Sequence, residues 1–241
     1  MALDVSKSGS RFFSPDYAKT DSVLFQSIQN QSHTGGEIIV SSSSFIFGST
    51  DIVQKDYAEG KVYNYPTISY NRYKTREERK LSWELKNEKK VIGEFHTQKA
   101  TVDFAGRIWI AWFTTQIPIQ DGPYIFTGLP GLIIRIEDSG GSYSYNLVGI
   151  EKISKRQDQY LKKWAGSKYK TAIPVNYERF RKAWQDSRNF AGNTDFNLEG
   201  VVVQEVEDDL IADSKRKRDA NRSIEQEKQK FNNPLDLDLF K

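Results

Sequence analysis

The chain has 241 residues, 37% of them hydrophobic, enough for one generous domain with its own core and too few for two full ones. It contains no cysteine and only two histidines, His33 and His96, which excludes disulfide frameworks, thiolate nucleophiles, cysteine-ligated metals and three-histidine metal sites. Lys+Arg 35 against Asp+Glu 32 give a formal charge of +3, a balance that demands no polyanionic partner, and no apolar run is long enough to cross a bilayer as a helix.

The opening Met1-Ala2-Leu3-Asp4-Val5 lacks the charged and apolar regions of a signal peptide, and it reads as the start of a mature protein whose leader is gone. One short edge strand is expected within residues 1–20. Asp21–Gln31 carries Val23, Leu24 and Ile28 at helical spacing, closed by Gly35-Gly36. From Glu37 to Ser154 short β-branched and alternating runs are punctuated by Gly, Pro, Asn and Asp. The runs are Ile52–Asp56, Lys61–Tyr65, Ile68–Lys74, Leu81–Leu85, Lys90–Phe104, Ile108–Thr115, Leu132–Asp138 and Ser142–Ile153, a series of antiparallel strands. Aromatic residues make 13% of the chain, in keeping with a sheet protein.

Ala105-Gly106 and Ser139-Gly140-Gly141 stand where hairpin turns are needed. Between Arg107 and Phe113 nearly every side chain is apolar, so that strand is expected to be covered on both faces or to floor an apolar concavity. Trp109 and Trp112, three apart, face opposite sides. The stretch from Thr115 to Gly131 holds Pro118, Pro123 and Pro130. It must be irregular, yet Tyr124, Ile125, Phe126 and Leu129 argue that it packs over the sheet as a lid. Beyond Ser154 the pattern turns helical, at Asp158–Trp164 and at Pro174–Phe190 with Val175, Phe180, Ala183 and Trp184 on one stripe. Leu198–Val206 reads as a last strand and 207–241 as a charged helix or tail, giving a single β-rich domain over 1–206 with an appendage.

The order Lys89-Lys90-Val91-Ile92-Gly93, Gln98 to Arg107, Ala111 to Pro118, Asp121-Gly122-Pro123-Tyr124 leads into Gly128-Leu129-Pro130-Gly131-Leu132-Ile133. This resembles the GLPGLI family of cell-envelope proteins, named for those six residues, with the strongest similarity over residues 60–153. Phe231-Asn232-Asn233-Pro234-Leu235 and Lys7 to Phe13 also resemble family segments. Where family members carry a cysteine, this chain has Phe95 or His96. The resemblance implies a periplasmic or secreted protein of Gram-negative envelopes, associated with outer-membrane transport systems, TonB-dependent ones included, and with no established biochemical activity.

The six-residue motif reads as a corner that tucks Leu129 and Leu132 into the core, or as backbone lining a groove where glycine admits a ligand. Other constellations are weak. Glu94 and His96, two apart in the expected strand, share a face and could act as an acid–base pair, but nothing nearby completes a site. Asp103 and Arg107 flank a turn as a surface ion pair. Asp121 reads as an Asx-type turn former ahead of Gly122-Pro123, with a catalytic role second. Ser41–Ser44 has no nucleophile elbow around it, and Lys215–Arg218 follows an acidic run in a solvated segment, so neither a serine hydrolase nor nucleic-acid binding is expected.

The expectation is a mainly β fold with peripheral α, an antiparallel, strongly curved sheet or half-barrel of lipoprotein-carrier type under a lid loop and helices. Functionally it is a non-enzymatic envelope protein with no cofactor and no metal. It binds a small apolar or peptide-like ligand, or docks to an outer-membrane or envelope partner, through Trp109, Trp112, Phe113, Tyr124, Phe126, Leu129 and Pro130. The alternatives are a hydrolase using Glu94, His96, Asp103 or Asp121, and a structural subunit of an envelope complex.

Overall fold

The structure, a computed structural model, describes residues 1–15, 52–68, 71–152, 172–189 and 235–240. The elements read at Asp21–Gln31, Asp158–Trp164 and Leu198–Val206, the serines at 41–44 and the basic run at 215–218 lie outside those residues. The chain is mainly β. The first sheet holds β1 (Ala2–Val5), β2 (Gly9–Phe13), β3 (Val53–Asp56), β4 (Lys61–Asn64), β5 (Thr67–Ile68), β6 (Asn71–Glu77) and β12 (Ile173–Pro174), in the order β1-β2-β3-β4-β6-β12 with β5 also on β6. The second runs β11-β10-β9-β8-β7, built from β7 (Glu84–Ile92), β8 (Phe95–Phe104), β9 (Arg107–Thr114), β10 (Leu132–Asp138) and β11 (Ser144–Asn146). Neither sheet closes on itself, and one pairing, β12 with β6, is parallel. Helix α1 spans Tyr177–Asn189, and a 3₁₀ turn covers Leu237–Phe240.

Turn chemistry accounts for most of the register. Ala105 and Gly106 both take positive φ, 57° and 74°, the two-residue type I′ geometry whose twist matches the flanking strands β8 and β9. The strand expected over Lys90–Phe104 is instead two, because Gly93 adopts φ 58° and the chain reverses there, pairing Ile92 with Phe95. Tertiary pairing also corrects Ile68–Lys74: β4 and β5 form one interrupted arm that pairs with β6 in a constant register, Val62 with Glu77 through Ile68 with Asn71. Ser142–Ile153 contracts to Ser144–Asn146, beyond which Val148 is 99% exposed and offers nothing to bury. Pro174 belongs to β12 and does not head the helix; Asn176 caps α1 by accepting the Arg179 N–H at 2.8 Å.

The main core joins the inner faces of both sheets. Phe12 and Val53 from the first meet Ala100, Val102, Phe104, Trp109, Ala111 and Phe113 from the second, together with the 115–131 loop. A smaller cluster of Phe13, Ile52, Tyr65 and Ala172 lies apart from it. The end of the chain is part of the folded body: Leu235 is in the main core, the Leu237 N–H donates to the Ala105 carbonyl at 3.0 Å, and Gln185 on α1 donates to the Leu239 carbonyl.

Candidate functional site

Five of the seven residues read as a binding surface lie in the main core. Trp109, Phe113, Tyr124, Phe126 and Leu129 are all buried in the main cluster. Phe126 sits against Trp109 at 4.6 Å between ring centroids and touches Trp83, Phe104 and Tyr124 at 6.1–6.5 Å, an arrangement in which tilted aromatic pairs add to the area they bury. The loop thus fills the space above β9. Trp112 points to the other face, as its parity requires, and lies under the Lys90 ammonium, 3.7 Å from its ring centroid. Pro130 is exposed.

The motif has a steric explanation. Gly128 takes φ 92°, a conformation in which an L side chain is strained. Gly131 takes an ordinary φ, but a Cβ there would collide with the Thr114 carbonyl. Between them Leu129 is buried, and Leu132 and Ile133 pair with Thr114 and Phe113 as β10 begins.

The charged residues regroup. Asp121 is 1% exposed and paired with Lys55, itself 3% exposed. Lys55 Nζ also donates to the carbonyls of Gly122 at 2.7 Å and Phe126 at 3.0 Å, so each of its three protons has an acceptor. The Asp121 carboxylate accepts the Gly122 N–H and the Tyr57 hydroxyl as well. Burial pulls the Lys55 ammonium below its usual range, with the Asp121 charge opposing that pull. This pair ties β3 to the loop, and it far exceeds the turn-forming role read for Asp121. Lys55 stands two residues from Val53 on the same inward face of β3, a phase that could have marked it as buried. Arg107 does not pair with Asp103, which is exposed. It reaches Asp138 at 3.0 Å in a buried pair and donates to the Leu235 carbonyl.

The proposed acid–base groups are dispersed. Glu94 lies in the turn after β7, off the strand it was expected to share with His96. His96 is exposed at the start of β8 and Asp103 near its end, seven residues on, a separation of about 23 Å along a strand. Asp121 is engaged with Lys55. Among the described residues no three His, Asp or Glu side chains cluster as a metal site.

A recess of about 820 Å³ opens between β6 and the start of α1, within the range of ligand pockets. Its wall is Lys74, Arg76 and Glu77 of β6 with Glu78 and Arg79 beyond it, Tyr63 on one side and Pro174 to Arg179 on the other. Lys74 and Arg76 project from one face of β6, two residues apart, and Lys74 Nζ stands 4.3 Å from the Tyr63 ring centroid. Arg79 is held by Glu77, Asp236 and Asp238 and stacks between Phe104 and Tyr177 at 4.5 and 4.6 Å. Tyr177 donates to Asp236 at 3.0 Å. The sequence marks none of the charged residues or tyrosines here as a site, because each is unremarkable until β6, α1 and residues 235–240 meet.

The recess follows an open backbone edge. The Tyr73 N–H donates to Pro66, on the β4–β5 side, whereas the Lys74 carbonyl accepts from Val175, on the β12 side. Backbone groups alternate sides along a strand, so the N–H and C=O of Arg76 point the same way as those of Lys74. β12 ends at Pro174, and past it no strand among the described residues covers that side of Arg76.

Residues 105–135 match the family model described as "Protein of unknown function (Porph_ging)". The match takes in the Gly128–Ile133 string and well under half of the chain. No curated protein matches this chain. Solved structures similar to it include those titled "Structure of PNGF-II in C2 space group" and "Structure of PNGF-II in P21 space group". The first has 13% identity, TM-score 0.44, and covers 76% of this chain and 29% of that one; the second has 14% identity, TM-score 0.41, and covers 61% and 26%. The chain spans less than a third of the length of either.

Proposed function

We propose that this chain is a non-enzymatic envelope protein, periplasmic or secreted, that holds a peptide-like segment of an envelope or outer-membrane partner in the recess beside β6. The observation that carries the reading is the coincidence of an 820 Å³ recess with an open sheet edge, since a strand edge offers hydrogen bonds to any extended backbone. The Gly128–Ile133 string inside the matched segment supports assigning the chain to the GLPGLI family and, with it, to the envelope. An apolar ligand is disfavoured because Phe126 already occupies the space over Trp109. The test is selection from a random-peptide phage library on the immobilised protein, followed by ¹⁵N NMR mapping of the enriched peptides. Enriched peptides should perturb Lys74, Arg76, Val175 and Tyr177. Failure to enrich, or perturbation confined to other surfaces, overturns the proposal.

A further inference from the structure

The geometry points to an acidic, extended peptide as the occupant of this recess, paired by its backbone with Arg76 so that it prolongs the sheet in line with β12. The inference rests on the groove reading above and adds the conformation and charge of the ligand.

Conformation follows from the edge. Arg76 presents a donor and an acceptor on the side where β12 has stopped, and after Asn176 the chain passes from strand into helix α1. An extended segment entering there would satisfy both groups as a ladder does, while a helical ligand would satisfy neither. The β7 edge is less suited. β7, at the edge of the second sheet, is exposed along most of its length and carries Lys86, Lys89 and Lys90, a pattern that discourages strand pairing, and its backbone edge is not set in the recess.

Charge follows from what the recess leaves unpaired. Glu77 is taken by Arg79 and Glu178 by Arg181. Lys74, Arg76 and Arg179 have no carboxylate partner among the described residues, and against them stands the exposed carboxylate of Glu78. A ligand with carboxylates at alternate positions would place them on one face of the added strand, the spacing at which Lys74 and Arg76 project. The Tyr63 ring, already under Lys74, gives apolar area beside those charges.

The probes are the synthetic peptides acetyl-TVEVDVT-amide, its basic counterpart acetyl-TVKVKVT-amide, and the acidic peptide N-methylated at every second amide in each of the two phases, titrated into the full chain by calorimetry. The acidic peptide should bind saturably and weaken as salt is raised, and the basic one should not bind. One N-methylated phase should lose about tenfold or more in affinity, the other little, because only one phase faces β6. Arg76→Ala should lose up to about fivefold. Equal binding of acidic and basic peptides overturns the charge assignment, and equal binding of both N-methylated phases overturns strand addition. No binding of the acidic peptide, while library-selected peptides of another kind perturb the recess, sinks this inference and leaves groove binding standing. Absence of both sinks the two together.

Discussion

Lys55 and Asp121 are two ordinary surface-type residues that the fold makes interior. Removing one leaves the other charged and unpaired in the core, so Lys55→Met or Asp121→Leu alone should cost about 3–5 kcal/mol. The double variant should lose less than the sum of the two, a coupling that urea denaturation of a double-mutant cycle measures; strict additivity would show that the pair does not act as a unit. Two tyrosines report on the same chemistry from outside. Burial, then the hydrogen bond to Asp121, pushes the Tyr57 phenol above its usual value of 10.0. Burial and the nearby Asp236 carboxylate push Tyr177 the same way. An acid whose folded pKa is raised gives stability that is intact below the unfolded pKa and lost above it. Unfolding free energy should therefore fall as pH rises through about 10, and Tyr57→Phe with Tyr177→Phe should flatten that slope. A profile equally steep in the double variant would assign the alkaline loss to other groups.

At the scale of elements, the Gly128–Ile133 corner separates two reasons for glycine. Gly128 needs its dihedral: a Cβ would meet nothing within 4 Å but would sit at φ 92°, so Gly128→Ala should cost about 1–2 kcal/mol. Gly131 needs its space, since Thr114 backbone occupies the Cβ position, and Gly131→Ala should cost about 3 kcal/mol or more because backbone cannot step aside as a side chain can. Equal losses in thermal denaturation would contradict this division. Strand existence was readable here from alternation and turn residues, and Leu132–Asp138 has the very limits read from the sequence. Strand pairing was not. The hairpin at Gly93 and the β4–β5 arm depend on which neighbour satisfies the backbone, and local pattern holds no record of that neighbour.

Over the whole molecule, the chain end acts as a strap. Leu235 and Leu239 are buried, Asp236 pairs with Arg79, and Arg107 donates to the Leu235 carbonyl. Deleting residues from Leu235 onward should lower stability by about 1.5–3 kcal/mol for each of the two leucines, read as a reduced urea midpoint. An unchanged midpoint would place the strap outside the cooperative unit. The strap also completes the site, because Asp236 holds both Arg79 and Tyr177, which stack on one another in the wall of the recess.

By itself the sequence determined the β-rich class, the hairpin at Ala105-Gly106, the opposite facing of Trp109 and Trp112, and the absence of thiol chemistry. These depend on composition and on backbone preferences within a few residues. Only the tertiary structure decided that the aromatic strand and its loop seal one another into core, that Asp121 is a buried counter-ion, and that no strand among the described residues covers Arg76 on the β12 side of β6. Burial and pairing belong to contacts between segments far apart in the chain. Lys55 and Asp121 lie 66 residues apart, and Arg79 and Asp236 lie 157 apart. Whether a charge is surface or core depends on which of those distant segments covers it.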